Sequence, residues 1–295
     1  MKLLSFGEII WDVYGPTERT LGGAPLNFSA YAAMLCDSVY LMSAVGDDTL
    51  GNEALKEIKA LGIETKYITV LKNRPTGKCD VTLDKNSVPT YKLAENTAYD
   101  AIFSQGPLNE KIDAIAFGTL ALRDPENRLT LSRILENNSF DEVYTDLNIR
   151  PPFYSLESVD FCLRNATVVK ISDEELPLVM ALLSSPCASA EESVKRIAEN
   201  YRRIKLIVIT CGENGALCYD TQREEIYRCP AVTTHAVSTV GAGDSFGAAF
   251  LSQYLTSGDI AAALKIATKV ASFVVSHKES IPRGAAEFVN GIIHS

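Results

Sequence analysis

Two glycine-bearing segments concentrate the residue types that could bind an anion and move a proton. Ser238-Thr-Val-Gly-Ala-Gly-Asp-Ser-Phe246 runs from a β-branched stretch through Gly241, Ala242 and Gly243 into a predicted helix. Phe246, Ala249, Phe250 and Tyr254 share one face of that helix. Glycines ahead of a helix let backbone N–H groups converge, and the helix N-terminus adds its positive end. The product is an anion hole suited to a group whose charge shifts in a transition state. Gly243 is expected to need a backbone conformation that a side chain resists. Asp244 stands at the mouth of the hole, where it could take a proton, or it could be a helix N-cap, a position aspartate fills well. In the second segment, Leu21-Gly-Gly-Ala-Pro-Leu-Asn-Phe-Ser-Ala30, Gly22, Gly23 and Pro25 precede a helix predicted over Phe28–Leu35. Paired glycines admit close approach of a ligand, and Asn27 can donate to and accept from hydroxyls. Either glycine alone reads as well as a loop capping a helix.

These residues need a scaffold, and the hydrophobic pattern supplies one. Short β-branched runs recur at Lys2–Phe6, Val39–Ala44, Asp113–Phe117, Glu142–Asp146, Thr167–Ile171 and Leu206–Thr210. Helical spacing lies between them at Leu50–Leu61, Arg123–Asn137 and Ala190–Tyr201. Strands alternating with helices imply an α/β fold, a mainly parallel sheet flanked by helices on both faces. Ligands of such sheets bind at the carboxyl ends of the strands. One region breaks the alternation. Cys79–Leu83 and Val88–Lys92, joined by the turn-rich Asp84–Ser87, read as a hairpin with which Ile9–Tyr14 could pair. They are expected to form a small antiparallel β flap. With no linker, low-complexity tract or repeat, residues 1–295 read as one domain.

Composition excludes several classes. A chain of 295 residues, 46% apolar, can bury a substantial core. A formal net charge of −9 argues against nucleic acid and anionic membranes as partners. Glu8 and Asp12 interrupt the first apolar stretch too early for a signal peptide, and no run has transmembrane length. Seven cysteines, an odd number without CxxC spacing, read as reduced thiols in the cytoplasm. His235, His277 and His294 are scattered and form neither a zinc cluster nor a triad.

Together the motifs carry a resemblance. Gly22-Gly-Ala-Pro-Leu-Asn27 resembles the first signature of the PfkB, or ribokinase-like, carbohydrate kinases, and Thr239–Phe246 the second. Val45–Gly51, Pro75–Gly77 and Val208–Gly215 resemble the segments between, so the likeness runs from Gly7 to about Gly284. Asp146-Leu-Asn-Ile-Arg-Pro-Pro-Phe-Tyr154, with Phe117–Arg123, is most similar to the fructokinase branch.

The resemblance implies a ribokinase-like fold whose lid is formed by residues 9–20 and 73–100, and phosphorylation of a primary sugar hydroxyl by ATP. By position, Asp12, Gly22, Gly23, Asn27 and Arg150 match the sugar side, and Asp244 matches the catalytic base. Gly241, Ala242 and Gly243, with the Asp244 amide, match the anion hole. Ser172, Thr210, Gly212 and Gly215 match the nucleotide side, and Glu175 a residue linked to Mg²⁺. Two positions depart from the pattern. Ser172 replaces an asparagine, and Ser172 with Glu175 also reads as a capping box. Ser238 replaces an aspartate that often helps hold a monovalent cation, which puts potassium (K⁺) activation in doubt. The helix N-terminus is expected to keep the Asp244 pKa low. The expected substrate is fructose, with 2-keto-3-deoxygluconate, ribose or a nucleoside as alternatives. The alternative of another class is a non-catalytic sugar-binding regulator, against which the retained Asp244 argues. A homodimer through the lid is expected because a small sheet leaves edges to cover.

Overall fold

The computed structural model describes residues 1–15, 18–83, 89–104 and 106–293. The chain opens with β1 (Lys2–Phe6), β2 (Ile10–Tyr14), β3 (Glu18–Gly22) and helix α1 (Ala24–Ala33). There follow β4 (Ser38–Gly46), α2 (Thr49–Ala60), β5 (Ile68–Leu71), β6 (Gly77–Leu83) and β7 (Pro89–Leu93). Next come β8 (Ala114–Gly118), α3 (Pro125–Asn137), β9 (Glu142–Asp146), α4 (Leu156–Asn165) and β10 (Val168–Ser172). Helices α5 (Leu176–Leu182) and α6 (Ala190–Asn200) lead to β11 (Leu206–Thr210), β12 (Ala216–Asp220) and β13 (Glu225–Cys229). Three helices close the chain: α7 (Ala242–Ser257), α8 (Ile260–Val275) and α9 (Ala285–Ile293).

Nine strands form one sheet in the order β13-β12-β11-β10-β9-β8-β1-β4-β5. All its pairings from β11 to β5 are parallel, and β12 runs antiparallel to both neighbours. Alternation along a strand sends successive side chains to opposite faces. On β1, Leu4 and Phe6 join a cluster with Leu131, Ile134, Val159 and Ile197, which come from α3, α4 and α6. Leu3 joins the opposite cluster with Phe28, Phe250 and Leu264, which come from α1, α7 and α8. Both faces are therefore covered, as a parallel sheet requires. No helix among the described residues is long and apolar enough to cross a membrane.

The small sheet has the order β3-β2-β6-β7. Its outer pairings are antiparallel, but β2 and β6 run parallel, with Asp12 opposite Cys79. The expected antiparallel pairing holds for the two outer pairs, and the central pair departs from it. β6 reaches β2 after a long crossover through the main sheet and not by a hairpin, so direction is not constrained by a turn. Strand β3 was not expected, because Glu18, Arg19 and Thr20 carry no apolar alternation. The predicted connection Asp84–Ser87 lies outside the described residues.

Candidate active site

The parallel strands end on one side of the sheet, and a cleft of about 1450 Å³ runs along those ends. A cleft this large has room for two small ligands side by side. It is lined by Asp12, Gly23, Asn27, Arg150, Ser172, Glu175, Thr210, Gly212, Gly215 and the Gly241–Asp244 loop. Gly22 lies just behind the lining. A Cβ on it would sit 3.4 Å from Asp12 Oδ2, so the missing side chain leaves room for that carboxylate.

Two helix starts meet at one end. Helix α1 begins at Ala24, four residues earlier than predicted, because Pro25 suits the first turn and Gly23 serves as the N-cap. Gly23 has φ 115°, and a Cβ there would lie 2.5 Å from the Glu8 carbonyl oxygen. The earlier start places Asn27 on the helix and not in a loop. Helix α7 begins at Ala242 with Gly241, at φ 79°, as its N-cap. Asp244 therefore lies within the first turn and is not the N-cap. Its Oδ2 instead accepts from Asn27 Nδ2 at 2.8 Å. Ser280 Oγ donates to Asn27 Oδ1 at 3.2 Å, which fixes the amide at both ends.

Asp244 is partly open to the cleft but surrounded by protein, and this burial raises its pKa above the ordinary carboxylate value. The Asn27 bond, Lys170 and Arg150 pull the other way. The expectation of a lowered pKa is thus corrected, since desolvation outweighs the helix end. The backbone reading of Gly243 is corrected too. It is helical, the left-handed conformation belongs to Gly241, and a Cβ on Gly243 would meet Lys170 Nζ at 3.2 Å.

On the same side stand Glu8 and Asp12. Glu8 is buried, its Oε1 accepts from Ala24 N at 3.2 Å, and burial pushes its carboxyl up to about 7. Burial pushes Asp12 up to about 6 against the opposing charge of Arg150. Arg150 is exposed on the loop after β9 and acts electrostatically on Glu8, Asp12 and Asp244 alike.

Ser172 and Glu175 form the reciprocal bonds of a capping box. Ser172 N and Oγ donate to Glu175 Oε2 at 2.9 and 3.0 Å, and Glu175 N donates to Ser172 Oγ at 3.2 Å. Ile149 N donates to Glu175 Oε1, so the same carboxylate pins the loop that carries Arg150. With both oxygens engaged, Glu175 suits a metal ion held through water better than direct ligation. Among the described residues, no three His, Cys, Asp or Glu side chains are grouped to hold a metal. Thr210, Gly212 and Gly215 line the far end, where β11 turns into β12.

The profile of the pfkB family carbohydrate kinases matches residues 2–284. This chain belongs to that family. The pfkB kinase is 25% identical over 274 residues to the fructokinase of Salmonella typhimurium, with 87% of this chain and 85% of that protein covered. It is 26% identical over 311 residues to the 2-dehydro-3-deoxygluconokinase of Haemophilus influenzae, with 95% and 96% covered. Its fold matches the crystal structure of a fructokinase with bound ATP from Xylella fastidiosa at a TM-score of 0.84. Identity there is 20%, with 99% and 98% of the two chains covered. It is a sugar kinase, and these relatives differ in the sugar they are named for.

Sequence reasoning missed four residues of the kinase's cleft or its support. Glu8 read only as a break in an apolar stretch. Lys170 read as one residue of a strand, and Asp146 as the start of a motif. Ser280 carried no local signal, since its contact with Asn27 spans 253 positions. For Lys170 alone there was a local sign, a charged residue within the apolar run Val168–Ile171, because lysine is seldom buried without a task or a partner.

Proposed function

We propose that this kinase transfers the γ-phosphoryl group of ATP to the primary hydroxyl of fructose. The observation that carries this reading is the Asn27–Asp244 hydrogen bond at the N-terminus of α7, inside a cleft with carboxylates at one end. Asp244 accepts the hydroxyl proton. Its raised pKa brings it nearer the working pH, which favours proton transfer from an alcohol. The Ala242, Gly243 and Asp244 amides, at the positive end of α7, receive the developing phosphoryl charge. Asp12 and Asn27 hold adjacent sugar hydroxyls, and Arg150 faces the sugar or the transferred phosphoryl. Thr210, Gly212, Gly215 and Ser172 form the nucleotide end. Glu175 would hold Mg²⁺ through water, and the ion would supply positive charge to offset that of the phosphates. The small sheet, which brings Asp12 on β2, is the lid that closes over the sugar and excludes water.

The Arg150 guanidinium on an open loop favours a second reading, a substrate carboxylate such as that of 2-keto-3-deoxygluconate. Against it, Glu8 and Asp12 place two acidic groups beside the same arginine. The test is kcat/KM for fructose, ribose, glucose and 2-keto-3-deoxygluconate under one set of conditions. Fructose is expected to lead. A preference of about tenfold for the keto acid, or 1.4 kcal/mol in the transition state, overturns the fructose assignment and leaves the kinase in place.

A further inference from the structure

Lys170 is 4% exposed, in the middle of the sheet, on the strand between β9 and β11. Among the described residues, its ammonium makes one hydrogen bond, to Asp146 Oδ2 at 2.8 Å. An ammonium has three protons to donate. The other oxygen of its partner, Asp146 Oδ1, is buried without a hydrogen-bond partner. Both side chains line the cleft beside Gly243 and Asp244. The tip of Lys170 lies 3.2 Å from the point where a Gly243 side chain would begin. It therefore sits against the first turn of α7.

A buried ion pair costs stability more readily than it adds it, so a pair of apolar residues would serve the fold at least as well. Its position offers a different reason for it. Burial alone would depress the lysine pKa, and Asp146, Glu175 and Asp244 together overcome this, so the group is a cation. The nearest carboxylates, Asp146, Glu175 and Asp244, outnumber it, and a polyphosphate entering this end of the cleft needs more than amide dipoles.

We propose that Lys170 is a catalytic residue of the phosphoryl transfer, its ammonium held by Asp146 and contacting the transferred phosphoryl group beneath the Gly241–Asp244 loop. Asp146 is the positioning residue, which keeps the ammonium on the cleft side of β10. The assignment rests on the family's phosphoryl transfer and adds a protein cation at the reacting group. A compact point charge at that place attracts the oxygens more as charge moves onto them.

The test compares ligands that differ by the transferred group. Affinities for ADP and for a non-hydrolysable ATP analogue are measured by calorimetry with the sugar present, for the natural protein, Lys170→Met and Lys170→Arg. Lys170→Met is expected to weaken the analogue by about tenfold, or 1.4 kcal/mol, and to leave ADP within about twofold. Its kcat should fall by roughly 10²-fold or more, the loss typical of one oxyanion donor, with Lys170→Arg recovering part of both. Lys170→Met strands the Asp146 charge, so the neutral pair Lys170→Met with Asp146→Asn is made alongside it, its folding checked by circular dichroism. An equal loss of ADP and analogue in the folded pair variant makes Lys170 structural and overturns the proposal. So does an unchanged ligand ratio with only a shifted pH profile, which would mean that Lys170 acts through Asp244. If the natural protein phosphorylates no sugar, the functional reading fails first, and that outcome is separate from either.

Discussion

Asn27 Nδ2 donates to Asp244 Oδ2 across 2.8 Å, joining the first turns of α1 and α7 from positions 217 residues apart. The bond fixes the carboxylate's direction and supports its ionised form. Asp244→Asn removes the proton acceptor while keeping shape. It should lower kcat by about 10²–10⁴-fold, the usual contribution of a general base, and weaken sugar binding far less. Steady-state kinetics with a direct sugar-binding measurement decides this. A near-natural kcat would reduce Asp244 to a packing partner of Asn27.

Asn27→Leu leaves Asp244 without its hydrogen bond. Because that bond lowers a pKa that burial raises, its loss should push the Asp244 pKa further up. The acidic limb of the kcat–pH profile is then expected to move to higher pH, with activity partly recovered in alkaline buffer. A limb that stays in place would show that the titration seen in kcat is not that of Asp244.

Gly243→Val should abolish turnover and preserve the fold. A Cβ at this position meets Lys170 Nζ at 3.2 Å, so even Gly243→Ala disturbs the ammonium, and the branched chain more so. Gly241→Ala should act differently. Gly241 is left-handed at φ 79°, and its Cβ would meet Ser280 Cβ at 2.6 Å. A cost of about 1–3 kcal/mol is expected from backbone strain of this kind, read as a lowered Tm. Equal thermal losses for both variants would contradict the distinction.

Glu8 supplies a pH dependence of stability. Its carboxyl lies at about 7 in the folded chain and near 4.5 when unfolded, so the native state binds the proton more tightly. The resulting stabilisation is complete below about pH 4.5 and is lost as pH rises through 7. The effect across that range is on the order of 3 kcal/mol. Glu8→Gln keeps the acceptor for Ala24 N and removes the titration. It should therefore be more stable than the natural protein at pH 8 and should flatten the Tm–pH curve between pH 5 and 8. A curve unchanged by the substitution would exclude Glu8 as its source.

The local order of the chain was written in its sequence. The parallel strands of the main sheet other than β5 were legible because each contains a short apolar run, and Glu142–Asp146 and Leu206–Thr210 begin and end where the pattern does, whereas Ile68–Leu71 was not foreseen. The glycine loops were legible because a left-handed turn before a helix, as at Gly241, admits few other residues. That Asp12, Asn27, Arg150 and Asp244 belong to one site followed from the resemblance of their motifs and not from periodicity.

Only the tertiary structure decided what surrounds them. The parallel β2–β6 pairing was hidden because strand direction is set by the crossover and not by the residues of either strand. The raised pKa values of Glu8 and Asp244 were hidden because desolvation depends on how much protein closes around a group, which no local window records. Lys170 was hidden for the same reason. Its partner lies 24 residues away on β9 and Gly243 lies 73 positions on, and only folding brings the ammonium against the first turn of α7.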